Sequence, residues 1–217
     1  MRGLLLMSSG IDSPVAGVMM KERGVEIIAL HLSLLENPAE ADKVTRLARK
    51  IGAKKLVFAS IQEAHEAYKA KCNPRYTCLF CKRTMLRAAE AIAKSEGCDF
   101  IITGENMGQV ASQTLDSMKV TDDAVKMKIL RPLLGFDKTE TMARARKYGT
   151  YDLSIEKHEE AKPLVQRTQG VRLSPGCPFL PKNPATRPRL EAVKAEEARL
   201  DLVRLMEDVV KSAKTVY

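Results

Sequence analysis

The sequence predicts an α/β protein with a parallel five-stranded sheet and helices on both faces. Two observations support this prediction. Short apolar runs alternate with longer amphipathic stretches from the first residues onward, and Gly closes several of those stretches. Such alternation is typical of βαβ units, in which crossover helices cover a parallel sheet. The predicted strands are 3–8, 25–32, 55–60, 99–104 and 128–133.

Start and stop signals delimit the predicted helices. Ser13 and Pro14 suit the N-cap and the first position of the first helix. Gly24 ends that helix, and Gly52 and Gly97 end two later ones. The predicted helices are 13–23, 39–50, 61–71, 80–95 and 138–148.

The C-terminal part of the chain departs from this alternation. Six prolines and two glycines fall within 162–189, which predicts an irregular loop that carries Cys177. Leu and Val at helical spacing then predict one final helix over 190–214. We expect residues 1–160 to form the α/β domain and 161–217 to pack on it as an extension.

Composition narrows the class of protein. No apolar run approaches the length of a membrane span, and the N-terminal run is too short for a secretory signal, so we expect a cytoplasmic protein. The net charge of +9 favours a polyanion partner, nucleic acid first, although a Lys-rich soluble surface explains the charge alone equally well. Aromatic residues make up 5% and Trp is absent, which argues against single-strand binding by base stacking.

The most informative local motif is SSGIDS, residues 8–13, between the first strand and the first helix. Small residues let the backbone approach a charged group, and the helix N-terminus supplies a positive partial charge. No Gly-Lys-Ser/Thr follows, so the motif is not a Walker A loop. The motif predicts a phosphate-binding loop, while a tight strand-to-helix turn capped by Ser13 is the simpler alternative.

Five cysteines, an odd number, disfavour a disulfide scaffold. Cys78 and Cys81 form a CxxC pair, which suits a redox couple, half of a zinc site or two cluster ligands. Cys177 lies far along the chain between prolines. Cys98 is most simply a core residue. The role of Cys72 stays open, since it could be a fourth ligand, a resolving thiol or neither.

The loop resembles the S-G-G-x-D-S loop of the PP-loop ATP pyrophosphatases, with Ser9 in place of a Gly. Further stretches are similar to the 4-thiouridine synthetases, the ThiI family: residues 103–114, TGENMGQVASQT; RPLL and DK within 131–138; and 147–152, KYGTYD. The helix 82–87, KRTMLR, also matches. Together with the loop these stretches follow the family's order, and the region of Cys177 resembles the archaeal branch more loosely.

This resemblance implies a PP-loop, or HUP-type, Rossmann-like domain over 1–160. It implies cleavage of ATP between the α and β phosphates, with Mg²⁺, and adenylation of a tRNA uridine whose oxygen is then replaced by sulfur. Asp12 would take part in catalysis. The nucleotide-binding residues that it implies are Leu6, Met7, Ser8, Gly10, Asp12, Ser13, His31, Leu32, Lys82, Gly104 and Gln113.

The sulfur chemistry implied for this branch involves Cys78, Cys81 and Cys177. One alternative is an iron–sulfur cluster on these three cysteines. A second is a redox route with a persulfide on Cys177, which a CxxC thiol resolves. A third is a structural zinc, which Cys72 would complete.

Full-length members of the family carry an RNA-binding extension with a THUMP domain, which we do not expect here. A homodimer or a separate RNA-binding protein would then help to bind tRNA, with a sulfur donor as a further partner and no membrane. Two other functions stay open: adenylation and thiolation of a different acceptor, and a non-catalytic nucleotide-binding subunit. The intact Asp12 and Ser13 count against a non-catalytic subunit.

Overall fold

A six-stranded sheet forms the centre of the protein in a computed structural model that describes residues 1–107, 113–157 and 181–217. The strand order in this described part is β5-β4-β1-β2-β3-β6. All neighbours are parallel except β3 and β6. The strands are β1 (Arg2–Leu6), β2 (Glu26–Ser33), β3 (Lys55–Ser60), β4 (Phe100–Ile102), β5 (Ile129–Leu130) and β6 (Lys214–Thr215).

The helices cover both faces of this sheet. Gly24, Gly52, Gly97 and Gly149 have positive φ angles of 64–77°, as expected of glycines that follow helix ends. In the described part none of the helices is long and apolar enough to cross a membrane. The helices are α1 (Asp12–Lys21), α2 (Pro38–Lys50), α3 (Gln62–Lys71), α4 (Thr77–Ser95), α5 (Leu115–Asp122), α6 (Lys138–Lys147), α7 (Tyr151–Ile155), α8 (Leu190–Glu197) and α9 (Leu202–Lys211).

Alternation along the strands divides the core into two layers. Leu5 of β1 packs with Val15 of α1 and Leu47 of α2 on one face. Its neighbour Leu4 packs with Leu86 of α4 on the other. The predicted α/β sheet with helices on both faces is therefore confirmed, and the five predicted strands are all present.

The prediction of one helix over 190–214 is wrong. The chain turns after α8, and the Asp201 side chain accepts the N–H of Arg204 to cap a new helix, α9. Residues 214–215 then form β6, antiparallel to β3. The break brings the apolar side of α9, including Met206 and Val209, onto the core layer beneath α4. Local periodicity could not reveal this because both short helices continue the same apolar spacing.

A buried ion cluster holds α8 against α4. Arg83 is 1% exposed and donates to both carboxylate oxygens of Glu197, at 2.9 and 2.8 Å. Arg87 donates to the same two oxygens at 2.7 and 2.8 Å. Burial alone raises the pKa of Glu197, but the hydrogen bonds and charges of Arg87 and Arg83 outweigh it, so the net pKa is lowered.

We expect Glu197→Gln to lower the free energy of unfolding by about 3 kcal/mol, because it leaves buried guanidinium charge uncompensated. Since the folded-state pKa of Glu197 is lowered, its contribution is present above the unfolded pKa and is lost as pH falls through the folded one. Urea unfolding at neutral and acid pH measures both effects. The control is Glu207→Gln, an exposed partner of Lys211, which should change stability by less than about 0.5 kcal/mol. Equal losses from the two variants would contradict the assignment.

Candidate functional site

The carboxyl ends of the parallel strands meet at one edge of the sheet. The predicted phosphate loop, residues 8–13, follows β1 there. Residues 103–105 follow β4, and Arg131 follows β5. Ligands of open parallel sheets bind beyond this edge, so the fold brings the predicted loop together with two of the family-like stretches.

Hydroxyl groups close the phosphate loop. Ser13 Oγ accepts the N–H of Ser8 at 2.9 Å and lies 3.0 Å from Ser8 Oγ. Ser8 Oγ in turn accepts the N–H of Gly10 at 3.3 Å. The prediction that Ser13 caps α1 is wrong: Ile11 occupies the N-cap position without a side-chain bond, because the Ser13 hydroxyl turns back to the loop instead. The Ser13 hydroxyl therefore does not cap the first N–H groups of α1. An anion site at a helix N-terminus uses these N–H groups as donors to the ligand.

Ser9, which replaces the family's Gly, is not strained. No non-Gly residue in the described ranges has a positive φ. The Ser9 hydroxyl donates to Glu40 Oε1 at 2.9 Å, so the extra side chain links the loop to the first turn of α2. The departure from the family motif therefore fits this backbone.

Gly104 packs directly on the phosphate loop. A Cβ built on Gly104 would lie 2.6 Å from the N atom of Ser13 and 2.8 Å from the carbonyl carbon of Asp12. Contacts this short with backbone cannot be relieved by a side-chain rotation. The space beside Gly104 thus holds the start of α1, and the glycine permits this approach.

Lys138 belongs to the DK stretch that resembles the family, but the sequence assigned it no role in the site. Its Nζ lies 2.9 and 3.2 Å from the two carboxylate oxygens of Asp12. A capping box of Asp137 and Glu140 fixes the start of α6 and therefore the origin of this lysine. Lys138 and Asp12 are 126 residues apart, so only the fold reveals the pair.

A second ion cluster lies on the β4 side of the loop. Lys82 Nζ is 2.6 Å from Glu105 Oε1, and Arg131 Nε is 2.9 Å from Glu105 Oε2. Arg131 also binds both oxygens of Asp122, at 2.5 and 3.0 Å. Burial alone raises the pKa of Glu105, but Lys82 and Arg131 outweigh it and the net pKa is lowered. Glu105 therefore stays ionised between two cations.

The residues expected at adenosine lie at the ends of β1 and β2. His31 Nδ1 lies 2.9 Å from the carbonyl oxygen of Met7. Since a carbonyl oxygen can only accept, His31 Nδ1 is the donor of this hydrogen bond. The His31 ring is buried with its edge toward Phe58, at a centroid distance of 5.1 Å. Leu6, next to Met7, and Leu32, next to His31, pack into the core layer beneath α4. The structure thus joins these four predicted residues in one place.

Gln113 has a buried side-chain oxygen without a hydrogen-bond partner in the described part of the chain. A buried acceptor left in this state costs about 1–3 kcal/mol. Such an atom is ready to accept from a ligand donor.

Cys78 and Cys81 lie in the first two turns of α4, and both are half-buried thiols. Cys72 is buried and donates to the carbonyl of Glu196 at 3.4 Å, and Cys98 is buried as predicted. The predicted third member of the sulfur site, Cys177, lies outside the described residues. Among the described residues, no three His, Cys, Asp or Glu side chains are grouped so as to hold a metal.

Known proteins share this architecture. A probable tRNA sulfurtransferase of Moorella thermoacetica is 40% identical over 97% of the chain, and one of Methanocaldococcus jannaschii is 39% identical over 92%. The chain spans about half of each relative, 52% and 50%. A solved 4-thiouridine synthetase, in an RNA complex with bound ATP, matches 99% of the chain at 32% identity with a TM-score of 0.85, over 54% of its own length.

More distant structures support the fold alone. An NH₃-dependent NAD synthetase of Campylobacter jejuni matches 96% of the chain and 83% of its own length, with a TM-score of 0.56 at 15% identity.

The family model described as thiamine biosynthesis protein (ThiI) matches residues 1–202. With most of its length matched by that model, the chain belongs to the ThiI family.

Proposed function

We propose that the chain binds ATP with Mg²⁺ and uses it to adenylate a uridine of tRNA, which sulfur then attacks to form 4-thiouridine. The observation that carries the proposal is the phosphate loop at the start of α1, with the Asp12–Lys138 pair beside it. The 4-thiouridine synthetase that resembles 99% of this chain, over 54% of its own length, holds RNA and ATP. The tRNA sulfurtransferase relatives support the same acceptor.

In this function, Ser8, Gly10 and Ser13 surround the phosphates of ATP. Backbone N–H groups and the α1 dipole neutralise part of the phosphate charge. Asp12 supplies a carboxylate oxygen to the Mg²⁺ that ATP brings, since Mg²⁺ prefers oxygen ligands and keeps substrate phosphates among them. Lys138, beside Asp12, would neutralise charge on the leaving pyrophosphate.

The nucleoside part of ATP occupies the ends of β1 and β2. Leu6 and Met7 offer backbone to adenosine, and His31 and Leu32 flank the purine. Gln113 accepts from the adenine amino group with its side-chain oxygen, which has no hydrogen-bond partner among the described residues. Gly104 keeps this region next to the loop through its contact with α1. Lys82 is a second cation, besides Lys138, that binds the phosphates.

Adenylation makes the uridine C4 oxygen a leaving group. A sulfur nucleophile forms the new C–S bond at C4, the C–O bond breaks, and AMP departs with that oxygen. Cys78, Cys81 and Cys177 would handle the sulfur. The half-buried thiols at the start of α4, where the helix dipole favours thiolate, fit two ligands of an iron–sulfur cluster.

Such a cluster would supply sulfur close to the activated base. The redox route through a Cys177 persulfide uses the same three cysteines. Zinc with Cys72 as an added ligand has less support, because Cys72 is buried and hydrogen-bonded to the carbonyl of Glu196 in α8.

We further propose that residues 1–160 form the adenylation domain in the cytoplasm, with 161–217 packed on it. The proposed partners are tRNA, a second copy of the chain or an RNA-binding protein that helps to hold it, and a separate sulfur donor.

The products of ATP turnover test the function directly. We expect purified protein with Mg²⁺, ATP and unmodified tRNA to form AMP and pyrophosphate in equal amounts. Chromatography of the nucleotides measures this, and a reaction without tRNA is the control. ADP and phosphate as products would contradict the proposal. AMP formed equally well without tRNA would point to the other-acceptor function.

Asp12→Asn should lower the rate constant for AMP formation by about 100-fold while ATP affinity falls less, because the amide has lost the charge that organises metal and Lys138. Calorimetric ATP binding beside single-turnover kinetics separates the two effects. Asp42→Asn is the matched control, since Asp42 is an exposed carboxylate paired with Arg46 on α2. Equal kinetics for the two variants would remove Asp12 from the reaction.

Anaerobic purification should yield protein with iron and acid-labile sulfide, and Cys78→Ser should lose most of both, because a cluster ligand is removed. Metal analysis and visible absorbance measure the content. Cys98→Ser is the control, because this buried thiol should leave the iron content unchanged. Iron-free protein that thiolates tRNA at the full rate would contradict the cluster. Full activity of Cys177→Ser would exclude both sulfur routes through that residue.

A further inference from the structure

Glu105 lies where the chain links the phosphate loop to a cation cluster. It follows Gly104, whose backbone touches Ser13 and Asp12 at the start of α1. Its side chain is 16% exposed and binds Lys82 at 2.6 Å and Arg131 at 2.9 Å. Gly104 and Glu105 together therefore join α1, α4 and the end of β5.

Arg131 holds the Glu105 carboxylate from the far side. Its side chain is 9% exposed and pairs with both oxygens of Asp122 at the end of α5. The planar guanidinium sets the direction of each of these bonds. Arg131 is thus fixed at two carboxylates, and Glu105 has little freedom to turn away.

Lys82 differs from Arg131 in the shape of its charged group. A lysine ammonium is a point charge on a flexible stem, so its position depends on its partners. An ammonium carries three N–H donors, so Lys82 can bind Glu105 and other acceptors at the same time. Half-buried ion pairs contribute little net stability, since desolvation offsets the attraction. The value of the Glu105–Lys82 bond therefore lies in geometry.

We propose that Glu105 is a positioning residue that aims the Lys82 ammonium at the phosphates beside the loop, with Arg131 fixing Glu105 in turn. The inference rests on the proposed function, because it takes Lys82 to bind ATP phosphate. A preorganised cation stabilises the charge that develops on the leaving pyrophosphate, and this gain is lost when the cation can move. Glu105 and Arg131 thereby contribute to the reaction without touching the substrate.

The test uses Glu105→Gln, which keeps the shape of the side chain and removes its charge. We expect kcat for AMP formation to fall about tenfold, with KM for ATP changed by less than about threefold, because orientation matters most in the transition state. Glu90→Gln is the matched control. Glu90 is also 16% exposed and paired with a lysine, but it accepts backbone N–H groups at the other end of α4. Its kcat should stay within about twofold of the wild type.

A double-mutant cycle distinguishes positioning from a structural role. In a Lys82→Gln background, Glu105→Gln should lower kcat by less than about twofold, because its target is already gone. Arg131→Lys, which keeps the charge but not the paired bonds to Asp122, should show the same dependence on Lys82. Thermal unfolding of each variant checks folding, and the Arg131 series decides the result if Glu105→Gln unfolds.

The outcomes separate this inference from the proposed function. Wild-type protein that forms no AMP overturns the proposed function, and the positioning role with it. Wild-type protein that forms AMP, while Glu105→Gln matches Glu90→Gln, overturns only the positioning role. Losses from Glu105→Gln that are equal with and without Lys82 also overturn it, since the effect then does not pass through the lysine.

Discussion

The close approach of Gly104 to the backbone of Asp12 and Ser13 is the constraint on which the candidate site depends. It brings the end of β4 against the start of α1, so the phosphate loop and the residues after β4 form one surface. Any side chain at this position would place its Cβ within 3 Å of backbone atoms that cannot rotate away. Separation of the two segments would displace Glu105, and with it Lys82 and Arg131, from the loop.

Charge at this edge is balanced by two carboxylate–lysine pairs. Asp12 holds Lys138 on one side of the loop, and Glu105 holds Lys82 on the other. Each lysine is thereby kept in place without an anion present. In the proposed function, Mg²⁺ and phosphate would replace the Asp12–Lys138 pair, while the Glu105–Lys82 pair stays in place and aims the ammonium.

The C-terminal helices complete the α4 side of the protein by a different means. Glu197, at the end of α8, neutralises Arg83 and Arg87 on α4. α9 adds apolar contacts over the same core layer. Since Lys82 and the CxxC cysteines lie on α4 as well, the ion cluster also fixes the helix that carries residues of the proposed site.

The alternating elements, the loop at 8–13 and the family could be predicted from the sequence, because they depend on local spacing and on motifs of neighbouring residues. The strand 55–60 agrees with β3 residue by residue, and 138–148 differs from α6 by one residue. Three features became visible only in the folded chain: Ser13 closes the loop rather than capping α1, 190–214 breaks into two helices and a strand, and Lys138 meets Asp12. These outcomes depend on contacts between residues far apart in the chain, whose energies no local pattern encodes.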